Sequence, residues 1–100
     1  MQGIEIVRID QGSAGEYHAH VPGTTHVGRL TWIAHESPAG TVRMAERTLV
    51  PRELERRGIA GKLVAALIED ARAQGFKVDP ACSYVAAQFQ RHPDWAELRA

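Results

Sequence analysis

Residues 54–63, LERRGIAGKL, join a strand-like segment to an amphipathic one and carry Gly58 and Gly61 where the second segment begins. The first N–H groups of a helix have no partner within it and lie at the positive end of its dipole, so they bind phosphate oxygens. Glycine lets the backbone approach such a ligand closely. The nearby basic residues are Arg56, Arg57 and Lys62. The spacing fits a phosphate-binding turn, and it also fits a tight turn before a helix with a solvated start.

The segment after this turn has the period of a helix. Its apolar residues recur at steps of one and three from Ile59 to Ala71, and charged residues occupy the positions between them. This pattern predicts an amphipathic helix over residues 59–71. Gly75 stands where a left-handed cap would end the helix.

The segments before the turn have the pattern of strands. Apolar runs and alternating residues predict four strands, over residues 4–10, 17–21, 26–35 and 41–50. Clusters of Gly, Ser and Pro separate them, and the short connections predict an antiparallel meander. Pro51 ends the fourth strand because it has no N–H to donate.

The last third of the chain adds one strand and one helix. Residues 76–78 predict a short strand, and Ser83 is the expected N-cap of a helix from residue 84 to residue 90 or 91. The whole order predicts an α+β fold. It has a mostly antiparallel sheet of about five strands, a strand–helix–strand unit and a second helix near the C-terminus. The residues expected to build the core and a C-terminal lid are Trp32, Phe76, Phe89, Trp95 and Leu98.

The composition is that of one globular domain. The 100 residues are 44% hydrophobic, and 12 basic residues balance 12 acidic ones. A single domain over residues 1–100 is therefore expected, and the zero net charge argues against a nucleic-acid partner. No run approaches the roughly 20 apolar residues of a membrane span, and the N-terminus lacks the layout of a secretory signal. The single Cys82 fits a reducing compartment, so we expect a cytoplasmic protein with no membrane partner.

Residues 55–60, ERRGIA, resemble the motif Q/R-x-x-G-x-G/A of the GNAT superfamily of acetyl-CoA-dependent N-acetyltransferases. The resemblance covers residues 41–98, and the earlier strands are similar by pattern only. Glu55 takes the Q/R position, and Arg47 stands where a His is common. Four further segments are similar in order and spacing to the small YjdJ-type subgroup: TLVP at 48–51, ARAQGFKV at 71–78, PACSYV at 80–85 and RHPD at 91–94.

The resemblance implies a minimal GNAT-like fold in which the fourth and fifth strands splay apart. It implies acetyl-CoA as a co-substrate, with no metal, and a pantetheine arm that lies between those strands and pairs with backbone near Leu49 and Val50. The pyrophosphate would bind the amides from Arg57 to Lys62. The cofactor-binding residues implied are Leu49, Val50, Arg56, Arg57, Gly58, Ile59, Ala60, Gly61 and Lys62.

Acetyl transfer to an amine needs a group that accepts the amine's proton and an acid for the departing thiolate. Glu46 is the candidate for the first role, on the same strand face as Met44 and Thr48, and a solvated surface carboxylate is the alternative. Tyr84 occupies the region where many superfamily members place a tyrosine that protonates the thiolate, and a local capping hydroxyl is the alternative. Cys82 lies beside a helix start, where the pKa of a thiol can fall. We expect it to line the site, because direct transfer is favoured over a covalent acetyl-cysteine intermediate.

The histidines offer a metal site as an alternative. His18 and His20 share one strand face, and His26 or His35 can add a third ligand. No carboxylate stands at an obvious ligand spacing, so a surface pair is the better interpretation and no metal is expected. His92 suits an orienting or stacking role better than proton transfer.

These features predict an enzyme, a GNAT-type acyltransferase. It would move an acetyl group from acetyl-CoA to a primary amine of a small molecule or protein, by direct attack on the thioester. The alternative is a CoA-binding or protein-interaction module with little or no catalytic activity, which Glu55 and Arg47 favour. A chain of 100 residues has little room for the elements that build an acceptor pocket in larger GNATs. The acceptor site is therefore expected to be shallow, or completed by a homodimer or a protein partner.

Overall fold

The computed structural model of the chain describes residues 3–100, so the part of the N-terminal prediction that rests on Met1 and Gln2 lies outside the described residues. The five strands are β1 (Glu5–Asp10), β2 (Ala14–His20), β3 (Val27–Ser37), β4 (Gly40–Leu49) and β5 (Lys77–Asp79). The two α-helices are α1 (Ile59–Gln74) and α2 (Ser83–Arg91), and short 3-10 helices span Arg52–Leu54 and Pro93–Leu98.

The strands pair in chain order, from β1 at one edge to β5. The first four are antiparallel to their neighbours, and β5 runs parallel to β4 after the crossover through α1. The predicted α+β class, the mostly antiparallel five-stranded sheet and the strand–helix–strand unit are confirmed. The architecture is consistent with the minimal GNAT-like fold.

The predicted left-handed cap of the first helix at Gly75 is confirmed. The helix continues past the apolar period to Gln74, and Gly75 adopts φ 82° with its N–H donating to the Ala71 carbonyl. The predicted N-cap of the second helix is wrong. Cys82 is the N-cap, because its carbonyl accepts the Ala86 N–H at 2.9 Å, and Ser83 is already helical.

The α1 helix covers one side of the sheet, called here the inner face. Tyr17 and Leu30 are at most 1% exposed there, in one apolar cluster with Leu63 and Leu67 of α1. The predicted core residues Trp32, Phe76, Phe89 and Leu98 are buried in this cluster, and Trp95 packs against it.

A charged residue, Arg43, is also buried on the inner face, although the strand pattern predicts nothing unusual for it. Its guanidinium carbon lies 3.8 Å from the centroid of the Trp32 ring. Its Nη1 donates to the Tyr17 hydroxyl at 3.0 Å. Tyr17 donates to Asp70 Oδ2 at 2.8 Å, and Arg8 Nε donates to the same oxygen at 2.9 Å. This network joins β1, β2 and β4 to α1 and satisfies the charges that it buries.

The opposite side of the sheet is called here the outer face. Residues that alternate with the core positions, such as Glu16, Arg29 and Thr31, point to it. Its cross-strand partners form two rows, Ile9-Glu16-Thr31-Arg47 and Val7-His18-Arg29-Leu49.

Candidate functional site

The turn before α1 leaves amide donors free. Gly58 is the N-cap, with φ 73°, and no side chain caps the helix. Among residues 3–100, the N–H groups of Ile59, Ala60 and Gly61 have no backbone acceptor, whereas the Lys62 N–H donates to the Gly58 carbonyl at 3.2 Å. Of the amides expected to bind an anion, from Arg57 to Lys62, the one at Lys62 is therefore already paired. The free amides of Ile59, Ala60 and Gly61 lie at the positive end of a 16-residue helix and suit an anion.

A cavity of about 250 Å³ opens at this turn and is called here the turn cavity. Its walls include Val50, Arg56, the backbone from Gly58 to Gly61, and Tyr84. The Tyr84 hydroxyl closes the side towards α2, because a Cβ built on Gly61 would lie 3.7 Å from it. The side chains of Arg57 and Lys62 are exposed beside the cavity rather than in its wall, so they can act on an anion through their charge.

The β4 and β5 strands separate next to this cavity. Their last ladder pair is Met44 with Asp79, and β4 continues beyond it to Leu49. The Cys82 N–H closes the end of the ladder by donating to the Ala45 carbonyl at 2.8 Å. Past that bond, no strand of the described residues lies beside the edge of β4 that faces α2. This opening, called here the β4–β5 gap, matches the splay that the resemblance implies.

Cys82 is buried in the β4–β5 gap. Its Sγ lies 3.5 Å from the Thr48 hydroxyl oxygen. Burial alone would raise the pKa of the thiol, but hydrogen bonds from Thr48 and from the backbone N–H groups of Val85 and Tyr84 outweigh it. The net effect lowers the pKa of Cys82 from its ordinary value. The thiol is thus polarised yet only 9% exposed, which suits a residue that lines a site.

Glu46 occupies an irregular position in β4. On either side of it Ala45 pairs with Trp32 and Arg47 pairs with Thr31, so Glu46 is the extra residue of a β-bulge. The bulge reverses the alternation of side chains. Met44 is on the outer face, whereas Thr48 pairs with the buried Leu30 and is on the inner face. The expectation that Glu46 shares a face with both Met44 and Thr48 is wrong for this reason.

Glu46 lines a second and larger cavity, of about 650 Å³, on the outer face of β2, β3 and β4. Leu49 lines it as well, and its side chain points away from the turn cavity. Glu46 and Tyr84 therefore belong to different cavities. The β4–β5 gap lies between them, because Ala45 before the bulge is bonded to Cys82, two residues before Tyr84.

The histidines do not form a metal cluster. His18 Nε2 lies 2.7 Å from Glu16 Oε1, and the His18 and His20 ring centroids are 6.3 Å apart. Within residues 3–100 there is no group of three or more His, Cys, Asp or Glu side chains that could hold a metal ion. His92 stacks on Trp95, with 4.0 Å between ring centroids, at the end of α2.

The family model described as GCN5-related N-acetyl-transferase matches residues 16–98. This match begins within β2, ends with the last 3-10 helix, and includes the residues of the turn cavity and the β4–β5 gap. It does not address the YjdJ-type subgroup, which stays a prediction. No curated protein matches the chain. In the part of the chain that the structure describes, no helix is long and apolar enough to cross a membrane.

Proposed function

The chain belongs to the GCN5-related N-acetyltransferase family, and we propose that it moves the acetyl group of acetyl-CoA to a primary amine by direct attack on the thioester. The observation that carries the proposal is that Tyr84 adjoins two features. Its hydroxyl lies beside Gly61, one of the free amides of α1, and its helix has as N-cap Cys82, whose N–H bonds Ala45 where β4 loses its partner strand. A phosphate on the amides and a thioester beside the open edge of β4 would use both features.

The residues fit acetyl-CoA in two ways. The amides of Ile59, Ala60 and Gly61 can donate to the pyrophosphate, and each bond to a charged group contributes about 1.5–3 kcal/mol. Past Met44, β4 has no ladder partner on the side of the gap among residues 3–100, so backbone groups near Leu49 and Val50 can bond the pantetheine amides. The full set that we propose for CoA binding stays as expected from the sequence: Leu49, Val50, Arg56, Arg57, Gly58, Ile59, Ala60, Gly61 and Lys62.

In the proposed reaction the amine nitrogen attacks the carbonyl carbon of the thioester. A C–N bond forms, the C–S bond breaks, and the electron pair leaves with the CoA sulfur. Glu46, on the outer-face side of β4, accepts the amine's proton directly or through water. Tyr84, on the other side of the gap, donates a proton to the thiolate. Placing acid and base on opposite sides of the gap keeps each near a different reacting atom.

Cys82 has no covalent role in this proposal. Its thiol is in contact with Thr48 and 9% exposed, so it lines the floor of the gap. An amine is already a good nucleophile towards a thioester, and transfer through a second thioester would gain little energy. We also propose that residues 1–100 act as one domain, in the cytoplasm, with a homodimer or protein partner as a means to complete the acceptor site.

The test combines binding with turnover. Acetyl-CoA at about 100 times its Kd should stabilise the protein by about 2.7 kcal/mol, which a thermal melt detects. Release of the CoA thiol with a panel of primary amines then measures transfer. Stabilisation without thiol release from any amine would identify the CoA-binding module of the alternative. The absence of stabilisation would contradict both functions.

A further inference from the structure

The outer-face cavity has the size of a small-molecule site. Its volume is about 650 Å³, and sites for small molecules usually span about 300–1,000 Å³. Its floor is formed by β2, β3 and β4, and it is more than twice as large as the turn cavity. Glu46, which lines this cavity, directly follows Ala45, the residue that bonds Cys82 at the β4–β5 gap. This cavity is called here the outer groove.

The charges in one half of the outer groove are already paired. Glu16 Oε1 lies 2.7 Å from His18 Nε2 and 3.8 Å from Arg29 Nε. One carboxylate thus contacts both His18 and Arg29, which are cross-strand partners in the neighbouring row of the sheet. A ligand gains little from Glu16, because its Oε1 already has two partners in the protein.

The other half presents two opposite charges that are not paired in this way. Glu46 and Arg47 are consecutive, and in a regular strand they would point to opposite faces. The bulge at Glu46 changes this, so both residues line the outer groove. In the described range, neither side chain has an ion-pair partner within 4.0 Å. Arg29, one row away from Arg47, belongs to the paired half through Glu16.

We propose that the outer groove binds the acceptor, and that the acceptor is a small molecule that carries a carboxylate as well as its primary amine. The inference rests on the acetyl transfer proposed above and names its substrate class. Arg47 binds the carboxylate through its planar pair of N–H donors. Glu46 attracts the ammonium group and takes its proton before the nitrogen attacks.

The experiment compares acceptors that differ only in the carboxylate. Glycine, β-alanine and 4-aminobutyrate are paired with methylamine, ethylamine and propylamine, and 2-aminoethyl phosphate tests a phosphate in place of the carboxylate. We expect a higher kcat/KM for each acid than for its bare amine. The preference is the kcat/KM for the acid divided by the kcat/KM for its bare amine. Arg47→Gln should lower this ratio by about 10- to 100-fold, the range for one charge-assisted contact. Arg91→Gln, an exposed change outside the groove, is the matched control and should keep the ratio.

Each outcome decides the question. Equal kcat/KM for acids and bare amines, or equal losses for both in Arg47→Gln, would show that the carboxylate is not recognised while acetyl transfer stands. A preference for the phosphate over every acid would assign the anion to a different class and overturn the proposal. If no amine is acetylated although acetyl-CoA binds, calorimetry of the three acids with the CoA-loaded protein replaces turnover. Binding that Arg47→Gln abolishes then supports the proposal, and no binding overturns it.

Discussion

The Thr48 hydroxyl and the Cys82 thiol lie 3.5 Å apart and join β4 to the start of α2. Together with the bond from the Cys82 N–H to the Ala45 carbonyl, at 2.8 Å, this contact defines the floor of the β4–β5 gap. A gap held at this point by one side-chain contact and one backbone bond keeps its width when either side chain is changed conservatively. Conservative variants of Thr48 and Cys82 therefore test whether the thiol has a chemical role, because the structure of the gap is kept.

Cys82→Ala should reduce kcat/KM for acetyl transfer by less than about tenfold, because direct attack needs no thiol. Thr48→Val, which removes the hydroxyl and keeps the shape of the side chain, should behave in the same way. Steady-state kinetics and intact mass spectrometry after incubation with acetyl-CoA alone measure the effect. An added acetyl group on Cys82, with ping-pong kinetics and an inactive but folded Cys82→Ala variant, would establish the covalent route instead.

Tyr84→Phe should lower kcat by about 10²- to 10⁴-fold, because the departing thiolate then lacks its acid. The affinity for acetyl-CoA should stay nearly unchanged, since the aromatic ring remains in the wall of the turn cavity. Calorimetry with acetyl-CoA and single-turnover kinetics separate the two quantities. A weaker affinity with an unchanged kcat would show that the hydroxyl beside Gly61 binds the cofactor and does not act as an acid.

Gly58→Asp should abolish the thermal stabilisation by acetyl-CoA, because it sets a carboxylate against the pyrophosphate. The residue has φ 73°, so any side chain adds strain, and Gly58→Asn is the matched control for that strain. The asparagine variant should keep most of the stabilisation, and added salt should weaken it through screening of Arg56, Arg57 and Lys62. Equal stabilisation of both variants would mean that the cofactor binds elsewhere.

The fold was readable from the sequence because its signals are local. The helical period begins at Ile59, where α1 begins, and the pattern of four strands, a helix, a strand and a helix is the observed order. The apolar period stops at Ala71, but Gly75 still marks the end of α1, because glycine adopts the left-handed cap conformation without strain.

The details of the site depend on contacts between distant residues and are not encoded locally. The bulge at Glu46 exists only relative to Thr31 and Trp32, so the strand pattern predicts regular alternation there. The Thr48 contact with Cys82 was missed for the same reason. The sequence does carry a weak signal for it, since both residues fall in segments that resemble the family.

The buried network around Arg43 provides a prediction on stability. Tyr17 donates to Asp70 and accepts from Arg43, so Tyr17→Phe leaves both charged groups short of one partner. The loss at neutral pH should be about 1–3 kcal/mol in the free energy of unfolding, measured by urea denaturation. Tyr84→Phe, which lies outside this network, serves as the control. A loss in Tyr17→Phe no greater than in Tyr84→Phe would mean that the network contributes no stability.

The same pair of variants should differ in how stability depends on alkaline pH. Burial, and then the hydrogen bond to Asp70, raise the pKa of Tyr17 above its ordinary value, which is about 10 in the unfolded chain. Above about pH 10 the folded state therefore binds more protons at this residue than the unfolded state does, and stability must fall as the pH rises. The contribution of Tyr17 is complete below that pH and is lost as the pH rises towards its folded pKa. Urea denaturation at pH 8 to 11 should show that the free energy of unfolding declines in the wild type and in Tyr84→Phe. The decline should be shallower in Tyr17→Phe. Equal declines in all three proteins would show that folding does not raise the pKa of Tyr17.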